Sequence, residues 1–518
     1  MKINRLKMYK RPIILRSGFG MVNEIDFNCL NNGFMTGGIP MEDIQENFKE
    51  VKNLKAGYMV AVLAVAAFVG LFSETALNLA LTNIMSDFNV EAATAQWLTT
   101  GYLLTLGILV PISAVLIQTF SARKLFFTSL TLGSLGMLIG GLAPSFSFLV
   151  IARVIQAIGT SILLPLMTNC ILIIFPPNKR GTIMGLIGLV IMTAPAIGPT
   201  LSGIIVDKLS WHWIFWLCLP MLLTCLIFGI FLVKNVTHIT KPKIDKLSVV
   251  LSTLGFGGIV FGFSAVGEGG GGWSDAHVLL PIGIGILSLI LFSYRQLHME
   301  NPIINLRVFT YPMFSLGVLL VFLAMLMILS NAILLPMYLK GGLLLSAFAA
   351  GITLLPGGLL NGIMSPINGK LMDRYGAKWL VVIGFSLTTI ASSLFINIAS
   401  DTKHSTIILM HVCLSIGIAF IMMPSQTNGL NQLPRKLYPY GTAVMSTLQQ
   451  ISGAIGTALA ISFMTMGQTS FLKDAGENPS AMILRDSLVY GVRKGYMLLM
   501  AASIIGLIVS LFLKRVKV

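Results

Sequence analysis

Gly369-Lys370-Leu371-Met372-Asp373-Arg374-Tyr375-Gly376-Ala377-Lys378 is a charged turn between two long apolar runs, and an earlier copy of it decides the fold. The copy reads Ala114-Val115-Leu116-Ile117-Gln118-Thr119-Phe120-Ser121-Ala122-Arg123-Lys124. With Leu371 set over Leu116, Asp373 falls opposite Gln118, Gly376 opposite Ser121 and Lys378 opposite Arg123. Later turns keep the same register, at 177–181 before the fifth apolar run and at 434–441 before the thirteenth. Runs one to six and nine to fourteen therefore read as two six-helix halves, joined by a hairpin of runs seven and eight. Duplicated halves of this kind mark secondary transporters, whose site lies near the midplane between them.

The runs themselves fall near 57–82, 97–117, 125–143, 148–174, 182–205, 213–233, 248–266, 278–293, 313–336, 347–368, 379–399, 406–429, 441–466 and 495–513. Each is about the length that a helix needs to cross a bilayer core. The chain of 518 residues is 55% hydrophobic and 10% charged, with mean hydropathy +0.86. A soluble domain is about 25% charged, so a cytosolic enzyme, a nucleic-acid binder and a disordered scaffold are excluded. The expected fold is all-α and polytopic, with 14 transmembrane helices. Its parts are a tail (1–56), a first half (57–233), a linker with spans seven and eight (234–312), a second half (313–513) and a short end (514–518).

The net charge of +16 is placed as a topology signal. With both ends and alternate loops in the cytoplasm, those segments hold 27 of the 35 Lys and Arg, the opposite loops seven, and one span a single Arg. That is the positive-inside bias, so the chain reads as a multi-pass protein of the cell membrane with both termini cytoplasmic. Lys179–Arg180 and Arg435–Lys436 read as topology anchors. In the tail, Thr36-Gly37-Gly38 just before Met41 is a peptide that a purine-rich ribosome-binding sequence would encode. Either Met41 is the true start and 1–40 is untranslated, or the whole tail is a cytosolic extension.

The residues carry a family resemblance. The chain resembles the major facilitator superfamily, in particular its fourteen-span drug:proton antiporters. Residues 369–378 are similar to the loop motif G-x-L-x-D-R-x-G-x-K/R, and Gly198-Pro199-Thr200-Leu201-Ser202-Gly203 to the antiporter motif G-P-x-x-G-G. Residues 148–159, with Arg153 and Gln156, resemble the fourth-span motif, and Trp211-His212-Trp213-Ile214-Phe215 resembles W-R-W-I-F. Ser73-Glu74-Thr75-Ala76-Leu77-Asn78 resembles a Gram-positive multidrug and lincosamide-export branch. The resemblance implies a major facilitator fold and proton-driven export of amphipathic, often cationic drugs. Gln118 and Ser121 depart from the loop motif's Asp and Gly, which puts a gating role for the first copy in doubt.

Of nineteen acids only Glu74 stands near the middle of a span, and of the bases only Arg153 is well inside one. A charge at the bilayer centre is costly and marks function. Glu74 is expected to carry the proton and, when ionised, to attract a cationic drug; the alternative is a structural Glu satisfied by a neighbouring helix. Gly70, Glu74 and Asn78 share one helix face. Arg153 with Gln156 and Thr160 forms a second polar stripe, and as the resemblance implies it modulates the carboxyl or relays protons; the alternative is that it ties down helix-end carbonyls.

In the fifth span Ala194, Gly198 and Ser202 recur every four residues, a spacing that lets helices approach closely. Pro195 and Pro199 remove backbone donors between them, and Gly203 completes the motif. Asp373 is expected to accept bonds from a neighbouring helix N-terminus or a basic side chain and so to hold the cytoplasmic side shut, with Gly369, Arg374, Gly376, Gln118 and Arg123 as its gating-loop companions; the alternative is a simple turn that sets topology. Gln156, Asn331, Asn361, Gln426, Gln449, Gln450 and Asn78 are cavity candidates; they bind substrate or join helices. Trp97, Trp211, Trp213 and Trp216 read as an outer aromatic belt.

No P-loop occurs, so ATP is not the direct fuel. Six dispersed His and five Cys without ligand spacing give no metal site and argue against a membrane enzyme. No cofactor beyond protons is implied, and the partners read as small amphipathic drugs, protons and lipids, with no nucleic acid. The protein reads as functioning as a monomer. The alternative on the same scaffold is a translocator of a lipid or cell-envelope metabolite.

Overall fold

A backbone in hydrocarbon must satisfy its own polar groups, so each long apolar run becomes a helix. The structure is a computed structural model that describes residues 41–90, 92–236, 239, 245–266, 272–299, 302, 304–473 and 480–515. The expectations placed on residues 1–40, and on the side chains of Asn78 and Pro199, lie outside the described residues. Among the described residues there are fourteen long helices and no strand. In the first half these are α1 (Met41–Phe88), α2 (Ala92–Thr119), α3 (Ala122–Gly141), α4 (Phe146–Ile174), α5 (Pro177–Lys208) and α6 (His212–Leu232). Then come α7 (Lys246–Ala265) and α8 (Ala276–His298). The second half contains α9 (Pro312–Met337), α10 (Ala347–Tyr375), α11 (Ala377–Phe395), α12 (His404–Asn431), α13 (Tyr438–Lys473) and α14 (Ala481–Ser510). Residues 55–518 make one unit, and the described residues before it are helical.

Thirteen helices carry a stretch long and apolar enough to cross a membrane. α5, whose sequence is rich in Gly, Thr and Pro, completes the fourteen. It packs on α10, α4, α12 and α6, where small residues serve better than the bulky apolar ones that face lipid.

The duplication is visible in the packing. In the first half α3 packs on α4 and α6, and α2 packs on α4. In the second half α11 packs on α12 and α14, and α10 packs on α12. Adding eight to each helix number converts the first set into the second. The same shift relates the two seams between the halves, α5 on α10 and α13 on α2.

The hairpin of α7 and α8 lies along the α2–α13 seam. Glycines set its fit to α2: a Cβ at Gly107 would stand 2.9 Å from Val260, and one at Gly257 would stand 3.0 Å from Ile108. Trp97 and Phe261 add a ring contact at 5.9 Å. On the α13 side Val266 and Val278 form a buried cluster with Ala458, and Trp273 Nε1 donates to Ser462 Oγ at 2.5 Å. The far end of the hairpin is tied by Arg295, which donates to both carboxylate oxygens of Asp245 at 2.7 and 3.1 Å.

Two expectations need correction. The last helix begins at Ala481, fourteen residues before its apolar run at 495. Ser480 caps it by accepting from the Ile483 N–H. Its polar outer turns are held from outside the helix: Arg485 donates to the carbonyls of Gly342 and Ser400, and Arg493 to that of Ile396. Trp211 is no part of an aromatic belt. It is 2% exposed, its Nε1 donates to Asp87 Oδ2 at 2.7 Å, and its ring packs on Phe88, His212 and Phe215. Trp97 and Trp213 are exposed as a belt requires.

Candidate functional site

The first site is a polar cluster inside the first half. Arg153 on α4 is 1% exposed, and its guanidinium lies over the Tyr102 ring of α2 at 4.2 Å. Its Nε donates to the Leu98 carbonyl at 3.3 Å and its Nη1 to Gln156 Oε1 at 3.0 Å, while Nη2 has no partner among the described residues. Gln156 Nε2 contacts Met137 Sδ at 3.4 Å, and Ser73 Oγ reaches the same sulfur at 3.9 Å. Tyr102 donates to Thr160 Oγ1 at 3.1 Å, and that hydroxyl donates to the Gln156 carbonyl at 3.2 Å.

Glu74 on α1 is half-buried on the face turned to this cluster. Gly70, one turn before it, lies so close to α4 that a Cβ would stand 3.2 Å from Thr160 Oγ1. The charges of Glu74 and Arg153 act on each other, and Glu74 also acts on Tyr102. They do not touch: among the described residues the one ion pair within 4 Å is Arg295 with Asp245. Beside Gly70, Tyr102, Ser129, Gln156 and Thr160 lies a cavity of about 20 Å³, room for one water molecule.

Behind Glu74 the antiporter motif is packed as its small residues require. A Cβ at Gly198 would stand 2.3 Å from Thr75 Oγ1, so α5 passes directly against the residue after Glu74. Ala194 and Ser202 are buried on the same face, Gly203 is half-buried, and Pro195 is exposed. Two of the cavity candidates act as joints between helices. Asn331 Oδ1 accepts from the Tyr496 hydroxyl at 2.9 Å, joining α9 to α14. Asn361 Nδ2 donates to the Ser415 carbonyl at 3.1 Å, joining α10 to α12. Gln426 is buried in α12, and Gln449 and Gln450 are half-buried on α13.

The second site is a latch across the two halves, on the face that carries residues 511–515. The Asp373 carboxylate at the end of α10 accepts from the Gly181 N–H (2.9 Å), the Thr182 N–H (2.7 Å) and the Thr182 hydroxyl (2.6 Å). Gly181 and Thr182 are the fifth and sixth residues of α5, so the carboxylate meets the N-terminal end of that helix one turn in from its start. Glycines bring the backbones together: a Cβ at Gly369 would stand 2.2 Å from the Gly181 carbonyl oxygen, and one at Gly185 would stand 2.4 Å from that of Ser365. The contact continues inward to Gly362 against Thr193.

The repeat-related contact is weaker. Gln118 Oε1 at the end of α2 accepts one bond, from the Tyr440 hydroxyl of α13, at 3.0 Å. Ser121, where the motif has Gly, has φ −67° and caps α3 by accepting from the Lys124 N–H. Gly376 has φ +86°, a conformation that favours glycine. Arg123 stays within its own half, donating to the Ile230 carbonyl at 3.0 Å, and the Arg374 guanidinium lies over Tyr375.

The sequence reading missed Arg180. It is 2% exposed, donates to Asn431 Oδ1 of α12 at 2.9 Å and lies over the Tyr438 ring of α13 at 5.1 Å. It also donates to the carbonyls of Leu172 and Phe175, so one buried guanidinium ties α4 and α5 to the other half.

The profile described as Major Facilitator Superfamily matches residues 63–457. The chain is 56% identical over 475 residues to the lincomycin resistance protein LmrB of Bacillus subtilis, covering 92% of this chain and 99% of that one. It is 55% identical to the lincomycin resistance protein LmrB of Listeria innocua, covering 89% and 97%. The human organic anion transporter MFSD10 shares the fold with a TM-score of 0.62 at 13% identity, over 88% of this chain and 99% of that one.

Proposed function

Because this chain belongs to the Major Facilitator Superfamily, a family of transporters rather than enzymes, we propose that it is a proton-coupled antiporter. On this reading it exports amphipathic, often cationic drugs across the cell membrane by alternating access, as a monomer. The observation that carries the proposal is the 56% identity to a lincomycin resistance protein along nearly all of both chains. A lincosamide is therefore the first substrate to test. The placement of 27 of 35 basic residues supports a cytoplasmic location for both termini and for the latch face. The structure then corresponds to the state closed toward the cytoplasm.

Glu74 is the proton carrier in this mechanism. Ionised, it balances the buried charge of Arg153 and favours a cationic drug. Protonated, it leaves Arg153 as an uncompensated charge, which is costly in a low-dielectric interior. Proton and drug thus favour different carrier states, which exchange requires. Arg153, fixed by Leu98, Gln156 and Tyr102, keeps its charge at one place throughout. The proton-motive force contributes about 2.3 kcal/mol per charge per 100 mV.

The test uses everted membrane vesicles with an acidified lumen. Adding lincomycin should release protons from wild-type vesicles, and Glu74→Gln, present at equal amount, should abolish the release. Release retained in the variant keeps the exporter and removes Glu74 from its coupling. No response to lincosamides, dyes or quaternary ammonium compounds moves the assignment to a translocator of a lipid or cell-envelope metabolite.

A further inference from the structure

Past α14 the chain turns back under the second half. Leu513 is buried, the Lys514 N–H lies 3.1 Å from Met313 Sδ, and Asn428 Nδ2 donates to the Lys514 carbonyl at 3.2 Å. This brings Arg515 to the end of α10. Its Nη1 donates to the Arg374 carbonyl at 3.3 Å and its Nη2 to the Asp373 carbonyl at 3.2 Å.

Those carbonyls belong to the last turn of a helix, where four have no intrahelical donor. A cation there also opposes the negative end of the helix dipole. The Met372 carbonyl is satisfied by the Gly376 N–H at 2.8 Å, so the loop and Arg515 together close the α10 terminus. Gly376 makes room for the arginine as well as for the turn. A Cβ there would stand 3.1 Å from both Cγ and Cδ of Arg515.

Asp373 is where the two contacts meet: its carbonyl accepts from Arg515 and its carboxylate accepts from α5. We propose that Arg515 is a positioning residue for the latch, fixing the last turn of α10 so that the Asp373 carboxylate stays aimed at Gly181 and Thr182 of α5. The strap contacts α9, α10 and α12 and no helix of the first half in these bonds, so it travels with the second half when the halves part. Its influence on closure therefore passes through Asp373. The inference rests on the latch reading above, and its test separates the two.

The measurement is the distance between spin labels on Lys179→Cys and Lys370→Cys, two exposed positions flanking the latch, in the purified full chain with its native cysteines replaced. Asp373→Asn should raise the ratio of open to closed populations. Arg515→Gln should raise it about tenfold, the equivalent of one charge-assisted bond lost, and Arg515→Lys should restore part of the change. Gly376→Ala should act like Arg515→Gln. In the Asp373→Asn background Arg515→Gln should add nothing to the ratio, the non-additivity expected of residues acting as a unit.

If Asp373→Asn leaves the distances unchanged, the latch reading itself fails. If Asp373→Asn opens the carrier but Arg515→Gln does not, Arg515 has no positioning role. A strap that only stabilises the fold would lower the thermal midpoint equally in both backgrounds and leave the distances alone, which also overturns the proposal.

Discussion

Gly369→Ala is the cleanest perturbation of closure, because it adds one methyl group and changes no charge. The new Cβ would stand 2.2 Å from the Gly181 carbonyl oxygen and 2.9 Å from its carbon. Both are backbone atoms with no rotamer to move aside. An ordinary contact needs more than 3 Å, so α5 and α10 must part by about 1 Å, an overpacking cost of about 1–3 kcal/mol. The same movement stretches the bonds from α5 to Asp373, now 2.6–2.9 Å, beyond hydrogen-bonding reach. The open state lacks this contact and is unaffected, so the closed-to-open ratio should fall about 5- to 150-fold. Spin-label distances between positions 179 and 370 read the ratio directly. Gly351→Ala on the same helix, where a Cβ meets nothing within 4 Å, should leave it unchanged. A Gly369→Ala carrier with wild-type distances and wild-type transport would refute the claim that backbone contact between α5 and α10 forms the seal.

Arg180→Lys should weaken the closed state about tenfold in the same distance measurement, because a lysine cannot reproduce both the Asn431 bond and the stack on Tyr438; an unchanged ratio would return Arg180 to the role of topology anchor. Asp245 is held well below the usual carboxylate range, first by its bonds from Arg295 and then by those from Ser248. A depressed carboxylate contributes stability that is present above its unfolded value near 4 and is lost as pH falls through the folded value. Hydrogen exchange in the first turn of α7 should therefore be equally protected at pH 7 and pH 5, and Asp245→Asn should lose that protection at both. Equal protection in the variant would sink the argument.

The span pattern and the duplication were legible because apolar runs of bilayer length have no other stable use. The start of α14 was not, since hydropathy stops at 495 while the helix extends to Ala481 on a Ser480 cap and carbonyl contacts from Arg485 and Arg493. Trp211 was misread for a related reason. A tryptophan near the end of a span looks the same in sequence whether its N–H meets lipid headgroups or, as here, Asp87. The chemistry of Asp373 pointed to a helix N-terminus or a basic side chain, but its partners Gly181 and Thr182 are more than 190 residues away in sequence, beyond any local pattern. Arg180 stands beside an exposed lysine, and composition cannot tell the buried member of such a pair from the solvated one. Asn331 and Asn361 drew attention as polar groups in apolar spans. Their role as joints between helices depends on Tyr496 and Ser415 arriving from other elements.

The hairpin of α7 and α8 gives the carrier a lopsided rim. Its interlock with α2 is steric, with Val260 filling the notch at Gly107 and Ile108 the notch at Gly257. Its hold on α13 is a small apolar cluster and one exposed bond from Trp273 to Ser462. In the proposed alternating access, shear would concentrate on the weaker side, with the hairpin riding with α2 while α13 slides along it as a shaft slides in a bearing. Protein would then slide on protein at that edge, and the surrounding lipid would not have to open and close with each cycle. Bilayer thickness and chain order then bear on the moving parts chiefly from the α5–α10 side, where no added pair of helices intervenes.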